Sequence, residues 1–386
     1  MASVLDHREI IDAASYVTGR FGALDGSFLE RAGRLTAWLN AHGSLTDTEA
    51  TAARRQLLQI VITRQLIAAD RQRITGIAAE RIERPIFVIG YSRTGTTLLH
   101  SLLAEDQGNR APMWWQTHQP SPPPGERPVA RGRLELASRE LERMMDVAPG
   151  MLTMHPYWDK GNEALIEDEE IHTLDLHNTY PTLLYQVAAF PVMGANQDPA
   201  GAYRFQTEFL QHLQWNLPRR RWVVKGCFHQ FYLRELFDAF PDALCIWPHR
   251  EPVAVHTSTL AITAVLYGAL TSGKMDWRQF GAGYLQAMRQ AIEAVVADPL
   301  VDDPRIIHLR FQDLSKDPVA TIRHVYERAG IPYTPAYEDR MRHWLANPAN
   351  QPDRYGRYPY SLDPFGLRSE DVAAAFAGYS KRFGLS

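Results

Sequence analysis

The sequence predicts an α/β protein with a P-loop-like parallel β-sheet flanked by helices. Four short apolar runs, each typical of a strand buried on both faces, alternate with longer segments whose apolar residues recur at helical spacing. Strands that alternate with helices indicate a parallel sheet, because a covering helix supplies each crossover. The first run leads directly into a glycine-containing turn and another helix, as in a phosphate-binding loop.

The first 80 residues are expected to be helical. Apolar residues recur at spacings of three and four in segments 27–43 and 48–74, which predicts two helices. A chain of 386 residues fits one large domain or two closely joined ones. We expect a single domain over residues 1–386, in which segment 1–80 packs on a nucleotide- and acceptor-binding core formed by residues 85–386.

The strands of the core are expected at residues 85–90, 222–224, 243–247 and 306–309. Helices are expected at residues 96–106, 230–240, 253–270, 277–297 and 318–329. The last helix has Asp317 as N-cap and Gly330 just beyond its end. Segments 111–201 and 352–366 show no regular pattern, and long irregular segments of α/β proteins often line the ligand site.

The charge is close to neutral, with 41 basic and 44 acidic residues and a formal net charge of −3. A near-neutral chain has no general attraction for nucleic acid or an anionic membrane, so any anion must be bound locally. The two cysteines, Cys227 and Cys245, are too few for a disulfide framework. We find neither a signal peptide nor an apolar stretch of the roughly 20 residues that a membrane span needs. We therefore expect a cytoplasmic protein that binds no nucleic acid and is not stably inserted in a membrane; a homo-oligomer remains open.

The loop after the first strand is the clearest candidate site, and it reads Gly90-Tyr91-Ser92-Arg93-Thr94-Gly95-Thr96-Thr97. Backbone N–H groups in such a turn, a helix N-terminus and the threonine hydroxyls together favour an anion. The glycine spacing follows the P-loop pattern, but Thr96 stands where a nucleotide triphosphatase needs lysine. We therefore expect an anionic ligand group without a triphosphate. The competing interpretation is a tight turn with a surface arginine.

Residues 85–100 resemble the 5′-phosphosulfate loop of the sulfotransferases that use 3′-phosphoadenosine 5′-phosphosulfate (PAPS). The similarity is greatest to the bacterial branch, because Arg93 stands where the widespread cytosolic enzymes have lysine. The resemblance implies PAPS as co-substrate and no metal ion. It also implies that the donor is bound through the loop residues Ser92, Arg93, Thr94, Gly95, Thr96 and Thr97.

Two further segments extend the resemblance to the 3′-phosphate of the donor. Arg250 follows the strand predicted at 243–247, and Ser258 lies eight residues later, the spacing at which family members bind this phosphate. A guanidinium and a hydroxyl placed in this way can converge on one phosphate. The alternative for Arg250 is an ordinary ion pair with an acidic neighbour. The alternative for Ser258 is that the neighbouring Thr257 provides the hydroxyl instead. Arg357, in an irregular basic loop near the C-terminus, is either a further phosphate ligand or a surface charge.

The resemblance also implies catalytic residues after the strand at 222–224. Lys225, together with Arg93, is expected to stabilise the transferring sulfuryl group, and His229 is expected to be the general base. Cys227 stands where members of the branch often have proline, which is a departure from the family pattern.

Other residues compete with His229 for the role of base: Glu163, Glu167, Glu170, His172 and His100. A carboxylate in an apolar pocket can have its pKa raised far enough to accept a proton near neutral pH. We interpret the acidic stretch 163–170 nevertheless as a solvated helix face, and His100 as a histidine that packs between helices.

The sequence thus predicts a sulfotransferase that moves a sulfuryl group in line from PAPS to a hydroxyl or amine of a small acceptor. Aromatic and methionine residues in the irregular segments favour an apolar or aromatic acceptor, although a core would have the same composition; they are Met113, Trp114, Trp115, Met154, Tyr157, Trp158, Tyr180, Tyr185 and Tyr267. The alternatives are an ATP-dependent small-molecule kinase, which Thr96 opposes, and a non-catalytic relative that binds a nucleotide.

Overall fold

Five parallel strands form one sheet in the computed structural model, which describes residues 5–20, 24–42, 45–177, 198–270 and 275–385. In chain order they are β1 (Ile86–Val88), β2 (Asn109–Arg110), β3 (Arg221–Lys225), β4 (Leu244–His249) and β5 (Ile306–Arg310). Their order across the sheet is β2-β3-β1-β4-β5, and every pairing is parallel. The predicted fold class is therefore confirmed.

The centre of the sheet positions the site. Val88, the last residue of β1, is in register with Lys225 of β3 and with Ile246 of β4. The carboxyl ends of these three strands thus meet at one edge, where open α/β sheets bind their ligands. The phosphate loop leaves β1 at this edge, and Arg250 follows β4 directly.

Helices cover both faces of the sheet and form the N-terminal segment. In chain order they are α1 (His7–Thr18), α2 (Gly26–His42), α3 (Asp47–Arg73), α4 (Thr96–Ala104), α5 (Trp114–His118), α6 (Arg131–Val147), α7 (Gly150–Met154), α8 (Asp168–Thr173), α9 (Pro199–Gln214), α10 (Leu233–Ala239), α11 (Pro252–Leu270), α12 (Trp277–Ala297), α13 (Phe311–Lys316), α14 (Pro318–Ala329), α15 (Pro335–Ala346), α16 (Ser369–Ala375) and α17 (Ala377–Phe383).

The predicted elements are present with small shifts at their ends. The expectation that segment 111–201 has no regular structure is wrong, because it contains helices, the longest of the described ones being α6 (Arg131–Val147). The capping residues of α14 show why its boundaries could be predicted: Asp317 accepts a hydrogen bond from the Ala320 N–H at 2.9 Å, and Gly330 ends the helix at a φ of 61°. Strand β2 was not predicted, because two residues, Asn109 and Arg110, are too short to show a hydrophobic pattern. The predicted end of helix 27–43 at Gly43 lies outside the described residues.

The strands are buried on both faces, as their continuous apolar runs predict. Phe87 and Cys245 face one hydrophobic cluster, while Val88 and Ile246 face the other. Alternate strand residues therefore serve two separate cores, one on each side of the sheet. None of the described helices is both long enough and apolar enough to span a membrane.

The N-terminal helices α1–α3 have a small core of their own and also contact the rest of the chain. Arg31 of α2 and Arg64 of α3 hold the buried carboxylate of Asp175 at 2.5 and 2.6 Å. Ile67 of α3 is part of the main hydrophobic cluster on one side of the sheet. These contacts agree with a helical segment packed on the core, while the assignment of residues 1–386 to one domain stays a prediction.

Candidate active site

The phosphate loop joins β1 to α4, and two of its glycines are required by its shape. Gly90 has a φ of 106° and Gly95 a φ of 88°. A β-carbon at Gly90 would lie 2.6 Å from Trp247, and one at Gly95 would lie 2.9 Å from Phe311. The loop therefore passes so close to β4 and to the residue after β5 that glycine alone fits without displacement of neighbours.

Two of the predicted donor-binding hydroxyls stabilise the loop itself. The Ser92 hydroxyl shares a hydrogen bond of 2.8 Å with Thr259 of α11, and the Thr94 hydroxyl donates to the Tyr91 carbonyl at 2.7 Å. Thr96 is buried, whereas the Thr97 hydroxyl accepts a hydrogen bond from the Lys225 ammonium at 3.3 Å. Thr97 is thus the loop hydroxyl that meets the predicted catalytic lysine.

Arg93 connects the loop to three other parts of the structure. Its Nε donates to the Ser258 hydroxyl at 2.9 Å, its Nη1 to the Met154 carbonyl at 2.8 Å and its Nη2 to the Tyr360 hydroxyl at 3.0 Å. Its φ of 70° is unusual for a residue with a side chain. Tyr360 was not predicted, since an exposed tyrosine in an irregular segment gives no signal in the sequence.

Arg250 lies against the same loop. Its Nη1 donates to the Arg93 carbonyl at 2.8 Å, and its guanidinium lies 4.4 Å from the centre of the Phe311 ring. The neighbouring Glu251 carboxylate accepts hydrogen bonds from two backbone N–H groups at the start of α11. The Thr257 hydroxyl donates back to the Val253 carbonyl within the helix. The structure thus brings Arg250, Arg93 and Ser258 together.

Lys225, at the end of β3, contacts the loop at Thr97, whereas Arg250 contacts it at Arg93. The Lys225 side chain is only 2% exposed. Its ammonium makes a close ion pair with the Glu167 carboxylate in addition to its contact with Thr97. Burial disfavours the ammonium, but the surrounding acidic groups, Glu167 first among them, together outweigh burial and hold the pKa of Lys225 above its usual value. Lys225 therefore remains positively charged at neutral pH.

The acidic stretch is not a solvated helix face, so that interpretation is wrong. Glu167 lies just before α8 and pairs with Lys225, and Asp168 is completely buried. The Glu169 carboxylate accepts a hydrogen bond from the Cys227 N–H at 2.9 Å. Helical periodicity does not reveal this arrangement, because the partner residues come from β3 and the loop that follows it.

Glu170 differs from Glu167 in its protonation. Burial and the negative charge of Glu167 raise the pKa of Glu170 to about 7. Burial would also raise the pKa of Glu167, but Lys225 and a hydrogen bond from His155 hold it below the usual range. Two carboxylates three residues apart thus have different charge states at neutral pH, which is typical of catalytic sites.

His229 is enclosed in the protein, with no exposed surface. Its Nδ1 is hydrogen-bonded to the Tyr203 hydroxyl and its Nε2 to the Asp168 carboxylate, each at 2.8 Å. Both ring nitrogens are therefore directed at protein atoms. Gln206 of α9 continues this network, since its amide donates to the Asp168 carboxylate at 2.8 Å. Tyr203 and Gln206 were not predicted as partners, because they precede His229 by more than twenty residues.

The other competing residues lie in three different environments. His100 is buried in α4, where its Nε2 lies 3.1 Å from the Val223 carbonyl, as expected for a packing histidine. His172 is also buried and is hydrogen-bonded to Gln206 at 2.9 Å. Burial lowers the pKa of both rings to about 3. Glu163 is exposed.

Arg357 lies on an exposed loop, and its guanidinium pairs with Asp353 at 3.4 Å. Its side chain is 88% exposed, which matches the surface-charge interpretation better than a phosphate ligand. The same loop contacts the site through Tyr360, whose hydroxyl accepts a hydrogen bond from Arg93.

The predicted acceptor-lining residues are divided between the core and the site. Trp114, Trp115 and Met154 are buried. Tyr157 and Trp158 are partly buried and lie next to His155, the histidine that contacts Glu167. Tyr180 and Tyr185 lie outside the described residues, as does the side chain of Tyr267.

One group of side chains in the described part of the chain has the spacing of a metal site. Ligand atoms of Glu167, Glu169 and Cys227 lie within 4.8 Å of one another. The Lys225 ammonium already neutralises Glu167. Burial and the two carboxylates raise the pKa of the Cys227 thiol well above its usual value, so a thiolate ligand is disfavoured. We therefore assign no metal ion to this group.

A parallel sheet with a glycine loop and three cationic side chains at its carboxyl edge defines the class of α/β proteins that bind an anionic ligand at this edge. Residues 85–335 match the family model described as the Sulfotransferase family, which covers more than half of the chain. The chain belongs to this family. It is a sulfotransferase, and the kinase alternative is not favoured.

Similar proteins carry the same activity in their names. The omega-hydroxy-beta-dihydromenaquinone-9 sulfotransferases Stf3 of Mycobacterium bovis and Mycobacterium tuberculosis are each 28% identical over 286 residues, 69% of this chain and 68% of theirs. The crystal structure of sulfotransferase STF9 from Mycobacterium avium is similar with a TM-score of 0.85 at 25% identity and covers 98% of this chain and 97% of its own. Sulfotransferase STF1 from Mycobacterium tuberculosis shares the fold with a TM-score of 0.80 at 24% identity over 98% of this chain and all of its own.

Proposed function

We propose that the chain transfers a sulfuryl group from PAPS to a hydroxyl or amine of a small, apolar or aromatic acceptor. One observation carries this proposal: Arg93, Lys225 and Arg250 follow or end three neighbouring parallel strands and lie around one glycine loop. The donor has two separate anionic ends, and this arrangement offers cationic groups on two sides of the loop.

The two ends of PAPS are proposed to bind at different residues. Arg250 and Ser258 would hold the 3′-phosphate, because a guanidinium and a hydroxyl provide directed donors to phosphate oxygens. The loop N–H groups and Thr97 would hold the 5′-phosphosulfate at the start of α4. Arg93 would hold the 5′-phosphosulfate loop and the 3′-phosphate site in a fixed relative position through its hydrogen bonds to Ser258 and Tyr360. We assign no phosphate contact to Arg357.

Glu170 is proposed as the general base in place of His229. Glu170 is tied to the site through Glu167, the partner of Lys225, because its backbone N–H donates to the Glu167 carbonyl at 3.0 Å. A base works best when its pKa is close to the working pH, and that of Glu170 is raised to about 7. His229, in contrast, is fully buried and both of its nitrogens contact protein atoms. We propose that His229 holds Asp168, and with it α8, in position.

The proposed reaction is a single in-line displacement. The acceptor oxygen attacks sulfur while the bond between sulfur and the 5′-phosphate oxygen breaks, and adenosine 3′,5′-bisphosphate leaves. The acceptor proton passes to Glu170. Lys225, Arg93 and the loop N–H groups would stabilise the negative charge on the sulfuryl and departing phosphate oxygens.

The acceptor class follows from the similar proteins and from the residues beside Glu167. Stf3 is named for a hydroxylated dihydromenaquinone, an apolar acceptor. Tyr157 and Trp158 provide aromatic surface next to His155 in this chain. We therefore propose a hydroxyl group carried by an apolar molecule.

Thermal unfolding of the full chain tests the donor. Adenosine 3′,5′-bisphosphate at a hundred times its dissociation constant is expected to add about 2.7 kcal/mol to the free energy of unfolding. Mg-ATP at the same concentration is the control and should add much less. Stabilisation by Mg-ATP alone would contradict the proposal. A mass-spectrometric screen of hydroxylated apolar compounds with PAPS then identifies the acceptor by its sulfated product.

A further inference from the structure

The ion pair between Lys225 and Glu167 joins a residue that the proposed mechanism uses to one to which it gives no role. Lys225 is 2% exposed, and an ammonium ion removed from water in this way needs a charged partner. Glu167 supplies that partner, while Thr97 supplies only a neutral hydroxyl. The charge of Lys225 therefore depends on Glu167.

Glu167 also acts on Glu170. Glu170 lies in the first turn of α8, where its backbone N–H donates to the Glu167 carbonyl at 3.0 Å. The negative charge of Glu167 disfavours a second negative charge at Glu170 and is one of the two causes of its raised pKa. A single carboxylate therefore influences both the cationic and the basic group of the site.

The surroundings of the other titratable groups near Lys225 shift each pKa in the direction that disfavours the charged form. Burial lowers the pKa of His100 and of His155. Burial and nearby carboxylates raise the pKa of Glu169 and of the Cys227 thiol. Glu167, in contrast, has its pKa held below the usual value, so it is the main negative charge beside Lys225. Arg93, a further charged group near His155, is a cation and cannot replace it.

We propose that Glu167 is a positioning residue that holds Lys225 charged beside Thr97 and, through the same charge, keeps Glu170 able to accept the acceptor's proton. This inference rests on the proposed function. It assigns Glu167 no contact with the reacting atoms. Its role is to set the charge states of the two residues that have such contacts.

The proposal predicts the direction of two shifts. Without the Glu167 charge, the strongest attraction that opposes burial is lost, so the pKa of Lys225 falls. Glu170 loses a like charge, so its pKa falls as well. Activity requires a deprotonated Glu170 and a protonated Lys225, and therefore both limbs of the pH–rate profile move to lower pH.

The experiment compares Glu167→Gln with the wild-type enzyme by the release of adenosine 3′,5′-bisphosphate from PAPS across pH, with the acceptor from the screen. We expect each limb to move by about one to two pH units towards acid. The control is Glu163→Gln, an exposed residue of the same stretch, which should leave both limbs in place. A loss of rate that is equal at every pH would show a structural role only and would overturn the proposal.

A second measurement separates this inference from the proposed function. The chain contains only five lysines, so the ¹³Cε resonance of Lys225 in labelled protein can be assigned by its absence in Lys225→Met. We expect Lys225 to titrate about one to two pH units lower in Glu167→Gln than in the wild type. An unchanged titration would refute the inference whatever the enzyme's activity. Failure of the wild type to use PAPS, with the shift present, would refute the proposed function alone.

Discussion

Lys225 ends β3 and His229 lies four residues later, and their side chains have entirely different surroundings. Lys225 meets the phosphate loop through Thr97, whereas His229 is enclosed between Tyr203 and Asp168. The family resemblance predicts a catalytic function for both. The packing of α8 and α9 separates the two, because these helices supply the hydrogen-bond partners of His229.

Replacing Lys225 by alanine is expected to lower turnover by about a hundredfold or more, because one fixed cationic donor to the transferring group is lost. Binding of adenosine 3′,5′-bisphosphate, which lacks the sulfuryl group, should change by less than about threefold. Product formation and isothermal titration measure the two effects. The exposed Lys160 provides the control variant, Lys160→Ala. An equal loss of turnover in the two variants would contradict the role of Lys225 at the transferring group.

Arg250→Ala should weaken bisphosphate binding by about ten- to a hundredfold, since a charge-assisted hydrogen bond is removed. Arg357→Ala should change it by less than about twofold, because that guanidinium is exposed. Titration calorimetry of the two variants compares them directly. A larger loss of bisphosphate affinity in Arg357→Ala than in Arg250→Ala would show that the loop with Arg357 binds the 3′-phosphate instead.

Glu170→Gln should reduce turnover by about a hundredfold or more, the usual effect of a missing general base. In the wild type, the rate should rise as the pH increases through about 7, because Glu170 must be deprotonated to accept a proton. The variant should lose this acid limb. A limb that persists near pH 7 in Glu170→Gln would indicate another base.

At the scale of elements, the phosphate loop depends on its close approach to the neighbouring strands. Gly95 has a left-handed φ and faces the Phe311 ring, while Gly90 faces Trp247 of β4. The loop pattern could be predicted from the glycine spacing and the following helix. The acidic stretch before and within α8 could not, because its partners come from β3.

Gly95→Ala should destabilise the protein by about 1–3 kcal/mol and abolish most bisphosphate binding, since the added β-carbon meets Phe311 at 2.9 Å at a strained φ. Gly283→Ala is the matched control. Gly283 is exposed in α12 with no atom near the added carbon, so this variant should gain about 0.5–1 kcal/mol. Chemical unfolding measures the stability of both variants, and the thermal shift on addition of adenosine 3′,5′-bisphosphate measures their binding. A stable Gly95→Ala protein that binds normally would contradict this role of the loop.

At the scale of the whole molecule, a buried charge cluster joins the N-terminal helices to the segment after α8. Asp175 is held by Arg31 of α2 and Arg64 of α3, and its backbone carbonyl accepts a further hydrogen bond from Arg31. The side chains of all three residues are less than a tenth exposed. Asp175 lies more than a hundred residues after each of the two arginines, so no local sequence pattern could predict these contacts.

Asp175→Asn should cost about 3–5 kcal/mol in the free energy of unfolding, because two buried guanidinium groups lose their counter-ion. Burial would raise the pKa of Asp175, but His177 and the two arginines hold it below its usual value. The stabilisation is therefore present above about pH 4 and is lost as the pH falls through the folded-state pKa.

Urea unfolding at several pH values measures the difference in the free energy of unfolding between Asp175→Asn and the wild type. This difference should become smaller as the pH falls. The exposed pair of Asp353 and Arg357 provides the control, and Asp353→Asn should cost less than about 1 kcal/mol. A constant difference between Asp175→Asn and wild type at every pH would mean that the charge of Asp175 is not responsible.

The sequence by itself determined the α/β class, four of the five strands and the phosphate loop. These features are local, because burial pattern, glycine spacing and helix caps are each contained in a short segment. Tertiary structure decided which residues share an environment. Glu167 meets Lys225, His229 is enclosed by Tyr203 and Asp168, and Tyr360 reaches Arg93. Charge state and access depend on such distant neighbours, and these enter the site only when the chain is folded.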